Sequence, residues 1–87
     1  MSFKTTPEKP MTRLGKNGYA FHSAAAEITI LDNRGRTLWQ KRKWESAGPI
    51  RWNGVDSQGN PLELGEYLCK ILYPDGQTIY LPFVFLK

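Results

Sequence analysis

The chain has 87 residues, of which 40% are hydrophobic and 13% are aromatic. This length allows one small domain with one core, and the apolar fraction excludes a chain that is disordered throughout. The formal net charge of +4 favours acidic partners, although such a charge also serves solubility alone. Cys69 is the single cysteine, which excludes an internal disulfide and a zinc site built from cysteines.

The sequence also limits where the protein is expected. No stretch reaches the roughly 18 apolar residues of a membrane-spanning helix, so membrane insertion is not expected. The start Met1-Ser2-Phe3-Lys4 is not followed by the apolar run of a signal peptide. Either the protein is cytoplasmic, if the chain is complete as given, or it is a domain of a larger protein whose export signal lies elsewhere.

Residues 1–18 contain prolines, glycines and basic residues without any periodicity of apolar side chains. This pattern predicts a flexible arm or linker. A domain over residues 19–87 follows. Its first strand is predicted at Tyr19-Ala20-Phe21, where two aromatic residues lie two positions apart.

A β-hairpin is predicted next, because a strand with alternating polarity is followed by turn-forming residues and a second strand. In the first strand, the predicted buried residues are Ala26, Ile28 and Ile30, and the predicted exposed residues are Glu27 and Thr29. The turn covers Asp32-Asn33-Arg34-Gly35-Arg36, and the returning strand covers Thr37-Leu38-Trp39-Gln40-Lys41.

Three more strands are predicted in the second half of the chain, the first at Ile50-Arg51-Trp52. The second has one apolar face formed by Tyr67, Cys69, Ile71 and Tyr73. The third runs from Thr78 to Leu86, and its apolar face holds Ile79, Leu81, Phe83 and Phe85. Pro82 removes one donor from this last strand, which therefore lies at a sheet edge or breaks there. Six or seven short strands and no helical periodicity predict an all-β antiparallel sandwich.

The segment between Trp52 and Tyr67 is rich in turn formers and predicts a corner of the sandwich. Its glycines, Gly54, Gly59 and Gly65, are suited to positive φ angles. Asp56, with Asn53 and Asn60, has two interpretations. The three side chains are oxygen ligands of the kind that Ca²⁺ binds, but Asp and Asn also close turns by bonding their own backbone. The turn is the preferred interpretation, because only one of the three is a carboxylate.

Three ordered pieces of the chain resemble the immunoglobulin-like domain of bacterial flagellar hook-capping proteins, which is similar to C-terminal modules of type IX secretion cargo. These pieces are residues 28–38, with a Gly-Arg turn between two strands, residues 47–62, with Trp-Asn-Gly-Val-Asp-Ser-Gln-Gly, and residues 65–71, with Gly-Glu-Tyr. The resemblance implies an immunoglobulin-like or fibronectin III-like β-sandwich that serves assembly or secretion. It also implies an extracellular or periplasmic location and a partner that is a neighbouring domain, a subunit or a secretion component.

The densest basic segment, residues 34–43, allows two further functions. Arginines and aromatic rings on a β surface bind single-stranded nucleic acid, whereas cations on an edge strand prevent pairing with other chains. Alternation places Lys41 and Lys43 on one face with Trp39, and Arg42 on the other face with Trp44. Because the positive charge is divided between the two faces, the edge-strand interpretation is preferred. An exposed Trp39 or Trp44 would also suit sugar stacking, which makes a carbohydrate-binding module the other alternative.

No residue set predicts catalysis or a cofactor. His22 has no second histidine or cysteine beside it in sequence, and the spacing of the carboxylates does not indicate a converging pair. Cys69 is predicted to be a buried hydrophobic residue. We therefore expect a non-enzymatic interaction module of a larger exported or cell-surface bacterial protein. Its predicted partner surface is one side of the last strand, through Val84 and Leu86, and Trp39 and Trp44 are further candidates for contact with a partner.

Overall fold

The computed structural model describes residues 10–14, 18–45 and 48–85. In these ranges the chain forms seven strands and one 3₁₀ helix at Lys43–Glu45. The strands are β1 (Met11–Leu14), β2 (Gly18–Phe21), β3 (Glu27–Leu31), β4 (Thr37–Arg42), β5 (Arg51–Trp52), β6 (Gly65–Leu72) and β7 (Thr78–Phe85).

Two antiparallel sheets pack face to face as a sandwich, which confirms the predicted fold class. One sheet has the strand order β1-β2-β5 and the other the order β4-β3-β6-β7. Among the described residues, no helix is long and apolar enough to cross a membrane.

The core is an aromatic cluster that joins the two sheets. Trp52 from β5 lies at its centre, 1% exposed. Its ring centroid is 5.2 Å from that of Tyr19, 5.9 Å from that of Phe83 and 6.1 Å from that of Trp39. Because these neighbours come from both sheets, a single side chain fixes how the sheets pack.

The structure differs from the predicted arm at Met11–Leu14. These four residues form β1, which pairs with β2 from Met11–Phe21 to Leu14–Gly18. Only Met11 of β1 is half-buried and the other three residues are exposed, so the strand carries no apolar alternation to signal it. It is held mainly by backbone pairing with β2, and Met11 alone of its side chains packs against the core. Gly18, the last residue of the predicted arm, begins β2, and residues 1–9 and 15–17 of the arm lie outside the described residues.

The predicted hairpin is confirmed as β3 and β4, with corrections at Ala26, Glu27 and Thr29. Ala26 was expected to be buried and Glu27 to be exposed, but both are half-buried, and Ala26 lies just before β3. The largest difference is at Thr29. This residue was expected outside but is 4% exposed. It points away from the core, yet β3 lies between β4 and β6, and the side-chain amide of Gln40 donates to the Thr29 hydroxyl over 3.1 Å. Neighbouring strands therefore bury it on the outer face.

The predicted faces of β6 and β7 are confirmed, and Pro82 is at an edge as expected, because β7 is the last strand of its sheet. The Tyr73 N–H donates to the Gln77 carbonyl over 2.8 Å, and hydrogen-bonded pairs recur at every second position of an antiparallel ladder. Pro82, which faces Leu68, therefore falls between hydrogen-bonded pairs. Its nitrogen points to the free edge of the sheet and costs the ladder no donor.

Candidate interaction face

Two turns of the sandwich have the same pattern of hydrogen bonds, each around its own aspartate. In the Asp32 loop (residues 32–36), Asp32 Oδ1 accepts from the backbone N–H groups of Arg34 and Arg36, each over 2.9 Å. In the Asp56 loop (residues 56–60), Asp56 Oδ1 accepts from two backbone N–H groups at the same spacing, again over 2.9 Å. This geometry confirms the turn interpretation of Asp56.

The glycines of the corner adopt the conformations predicted for them. Gly54, Gly59 and Gly65 have φ angles of 75°, 87° and 150°, which L side chains rarely adopt. In both loops, hydrogen bonds from the backbone hold the pKa of the aspartate below its ordinary value. Within residues 10–14, 18–45 and 48–85, no cluster of three or more His, Cys, Asp or Glu side chains is suited to a metal ion.

The Asp56 loop also covers the free edge of β4. A β-bulge interrupts the β3–β4 register, because Ile30 pairs with Trp39 while Leu31 pairs with Thr37. The extra residue is Leu38, and its carbonyl accepts a hydrogen bond of 2.8 Å from the Ser57 N–H. The loop is thus anchored to a backbone group that an edge strand would otherwise leave to solvent.

Trp52 and Tyr67 fix the two ends of the corner. The indole N–H of Trp52 donates to the Val55 carbonyl over 2.7 Å, which satisfies the polar atom of a buried ring. The Tyr67 hydroxyl donates to the Glu63 carbonyl over 2.7 Å, four residues upstream, which is the arrangement of a tyrosine corner. Tyr67 lies on the predicted apolar face of β6 but is only half-buried, because its hydroxyl end reaches out to Glu63.

Trp39 and Trp44, both candidates for a partner surface, have different environments. Trp39 is half-buried and packs against the core, which makes it the weaker candidate. It pairs with the buried Ile30, and its ring packs against Trp52, because the bulge turns both Leu38 and Trp39 to the core. Trp44 lies in the 3₁₀ helix and is 77% exposed. Only Trp44 of this pair is open to a partner.

Several cations of the basic segment are already bound. Arg36 Nε lies 2.7 Å from a carboxylate oxygen of Asp32, and Arg42 Nε lies 3.0 Å from one of Glu27. Lys43 Nζ donates to the Ser23 carbonyl over 2.6 Å. These contacts support the edge-strand interpretation of the segment, since they orient the cations along β4 and its ends.

The outer side of β6 and β7 forms an exposed apolar surface, which we call the β6–β7 face. Paired residues of antiparallel strands point to the same side, so Leu68 lies beside Pro82, Lys70 beside Tyr80 and Glu66 beside Val84. Tyr80 is 58% exposed and Val84 is 54% exposed, and Pro82 between them is also exposed. The β6–β7 face comprises Glu66, Leu68, Lys70, Tyr80, Pro82 and Val84.

Val84 therefore lies outside the core, where the sequence placed it, while Leu86 lies outside the described residues. The sequence analysis did not include Tyr80 among the candidates. Its signal was available, because Tyr80 and Val84 are two positions before and after Pro82 and so share its side of the strand.

Cys69 and His22 have structural environments. Cys69 is a buried free cysteine, as predicted, and burial raises the pKa of its thiol to about 12. His22 Nδ1 accepts a hydrogen bond of 3.1 Å from the Ala24 N–H, and its ring lies edge-on to that of Tyr73 at 6.2 Å. The histidine thus closes a local turn.

Comparison with known proteins agrees with this fold. No family model and no curated protein matches the chain. Among solved structures it is similar to PorZ of Porphyromonas gingivalis, described as an essential bacterial surface component of the type IX secretion system. The TM-score is 0.60 at 22% sequence identity, over 93% of this chain and 10% of PorZ. The chain therefore has the fold of one small part of that much longer protein.

Proposed function

We propose that this chain is a non-enzymatic immunoglobulin-like module that binds a protein partner through the β6–β7 face, within a secretion-associated bacterial surface protein. The observation that carries the proposal is the exposed apolar ridge of Tyr80, Pro82 and Val84 on an edge strand. The outer positions of a solvated strand are ordinarily polar. All eight residues of β7 are uncharged, so neither side of the strand is adapted to water.

The likeness to PorZ supports the biological setting. PorZ is a surface component of a secretion system, which agrees with the resemblance to hook-capping and secretion-cargo modules. The hook-capping and secretion-cargo resemblance implies a β-sandwich that acts by contact with other proteins, and the likeness to PorZ adds a secretion-associated setting. An extracellular or periplasmic location and a protein partner belong to the same proposal.

The apolar ridge is a better candidate for the binding site than the main groove of the molecule. An open groove of about 520 Å³ lies between the Asp32 loop and residues 61–67. Two of its groups, however, are bound within the chain, since Asp32 holds Arg36 and the Tyr67 hydroxyl bonds the Glu63 carbonyl. The ridge has no such internal use, because its side chains face solvent.

A photo-crosslinking experiment tests the proposal. A benzophenone amino acid is placed at Val84 in the full reading frame, in the bacterium that encodes it, and adducts are identified by mass spectrometry. The matched control carries the same group at Gln58, an exposed position on the Asp56 loop. We expect a discrete protein adduct from Val84 in the cell envelope or on the cell surface, and none from Gln58.

Two results would contradict the proposal. Equal labelling at Val84 and Gln58 would mean that the ridge is ordinary surface. A Val84 adduct confined to the cytoplasm would separate the module from secretion.

Trp44 supports carbohydrate binding as a second candidate function, because a single large ring stands 77% exposed at the end of β4. Aromatic rings of this kind stack on the apolar faces of sugars. A glycan array comparing the unchanged chain with Trp44→Ala tests it. Retained binding by Trp44→Ala would exclude Trp44 as the stacking platform.

A further inference from the structure

We propose that the β6–β7 face binds the same face of a second copy of this chain, as a two-fold symmetric dimer. This inference rests on the proposed function, because it names the partner of the same surface. It is argued from the pattern of charge on the face, which is complementary to itself.

The centre of the face is the uncharged pair Leu68 and Pro82, and Leu31 of the neighbouring strand β3 continues this row beside the face. Leu68 pairs with Leu31 on one side and with Pro82 on the other, and all three side chains point outward. The face carries two charged residues, Glu66 and Lys70, which lie two positions before and after Leu68 on β6. Within the described residues, neither forms an ion pair with another side chain of its own chain.

Symmetry decides what these charges meet. Consider two faces in contact, related by a two-fold axis that runs across the strands through the row of Leu68 and Pro82. The rotation reverses the strand direction, so Glu66 of each copy lies opposite Lys70 of the other. Val84 of each copy then lies opposite Tyr80 of the other, and Leu68 meets Leu68. Both charges of the face are paired, and the apolar ridge is covered along its length.

The other axis in the plane of the interface is disfavoured. An axis parallel to the strands leaves each residue level with its own row, so Glu66 approaches Glu66 and Lys70 approaches Lys70. Like charges that face each other weaken association and select against wrong arrangements. The charge pattern therefore selects the antiparallel arrangement of the two faces.

The size of the face indicates a weak dimer. The two strands of the face and the neighbouring β3, spaced about 4.8 Å apart, and five residues at about 3.4 Å each define a footprint of only a few hundred Å². Stable dimers bury about 800 Å² per partner, so this interface belongs to the small, transient class. We expect a dissociation constant in the micromolar to millimolar range. The dimer is therefore sought at high protein concentration and low salt, where ion pairs are least screened.

Charge exchange between β6 positions tests the dimer. Sedimentation equilibrium is measured for the unchanged chain, Glu66→Lys, Lys70→Glu, the double exchange, and an equimolar mixture of the two single variants. Arg51→Glu is the control, an exposed charge reversal on β5 of the other sheet. Far-UV circular dichroism and the thermal midpoint show that each variant is folded.

The expected pattern is specific to the proposed symmetry. Each single variant places like charges opposite each other and weakens self-association at least about tenfold. The double exchange restores it, because the introduced lysine of each copy then meets the introduced glutamate of the other. The mixture also restores it as a heterodimer, because one chain carries two lysines and the other two glutamates at these positions. Arg51→Glu associates like the unchanged chain.

Three outcomes would overturn the inference. The first is an unchanged chain that stays monomeric up to about 1 mM, the weak limit of this class of interface. The second is normal dimerisation of both single variants. The third is a mixture of the single variants that fails to associate although each variant is folded. The crosslinking experiment separates this failure from that of the proposed function. A monomeric chain whose Val84 still crosslinks to a different envelope protein removes the dimer and leaves the interaction module.

Discussion

The two edges of the four-stranded sheet, β4 and β7, are protected in different ways. At β4 the backbone is covered, since the Leu38 carbonyl accepts from Ser57, and the strand carries Lys41 and Arg42. At β7 no described segment covers the edge, all eight residues are uncharged, and Pro82 directs a nitrogen without hydrogen to the open side.

The difference separates two purposes of an edge strand. Charge, a bulge and a covering loop prevent any contact at β4. A proline alone prevents backbone pairing at β7 but leaves its side chains free, so β7 is closed to strand addition and open to contact through its outer face. This is the arrangement that a docking face at a sheet edge requires.

The largest expected loss of stability comes from Trp52, whose ring packs against Trp39 of the covered edge strand β4. Trp52→Ala removes a 1% exposed ring that contacts both sheets and holds Val55. We expect the free energy of unfolding to fall by about 3–5 kcal/mol, the usual cost of deleting a buried aromatic. Urea denaturation measures it. Trp44→Ala is the control, expected to change stability little, and equal losses in the two variants would refute the central position of Trp52.

A pair of proline substitutions tests whether the Asp56 loop protects β4. Ser57 and Asn33 hold the same position in the two aspartate loops, and Pro74 already occupies it in the related turn 73–77. Ser57→Pro removes the donor to Leu38, whereas the Asn33 N–H has no hydrogen-bond partner among the described residues. We expect Ser57→Pro to be less stable than Asn33→Pro by about 1–2 kcal/mol. Equal denaturation midpoints would mean that the cover on β4 contributes nothing.

The tyrosine corner tests the segment that connects the covered edge to β6. Tyr67→Phe removes only the hydroxyl that donates to Glu63. We expect a loss of about 1 kcal/mol, the net value of one hydrogen bond. Tyr80→Phe is the matched control, because its ring is exposed. A thermal midpoint that falls equally in both variants would assign the effect to something other than the corner.

The smallest change in stability is expected at the open edge. Pro82→Thr restores a backbone donor on the free side of β7, and we expect unfolding to change by less than about 0.5 kcal/mol, as for most surface positions. Association should nevertheless increase, because the edge then accepts another strand. Light scattering in a Glu66→Lys background measures this without the face dimer, with Pro74→Thr as control. Unchanged scattering would show that Pro82 does not guard the edge.

The alternation of apolar residues made much of the fold predictable. Period-two patterns in β6 and β7 identified the buried sides of both strands, and Pro82 identified an edge. The same patterns failed at Met11–Leu14, because a strand held by backbone pairing needs no apolar face. They also failed at Trp39, because one extra residue in a bulge shifts the alternation, and sequence alone gives no sign of a bulge.

The candidate face was only half predictable for a related reason. One side of the last strand already supplies the apolar residues that the core needs, so the sequence placed Val84, on the other side, outside the core. It did not place Lys70 and Glu66 beside Tyr80 and Val84, because which residues of two strands lie opposite each other depends on the register.

The amino-acid sequence by itself determined the class of fold, the turns at Asp32 and Asp56, and the buried sides of its longest strands. These features follow from local propensities and from a period that a strand imposes on its own residues. The tertiary structure decided which edge is covered, where Trp39 points and which charges share the β6–β7 face. Those features depend on contacts between residues far apart in the chain, and only the pairing of the strands brings them together.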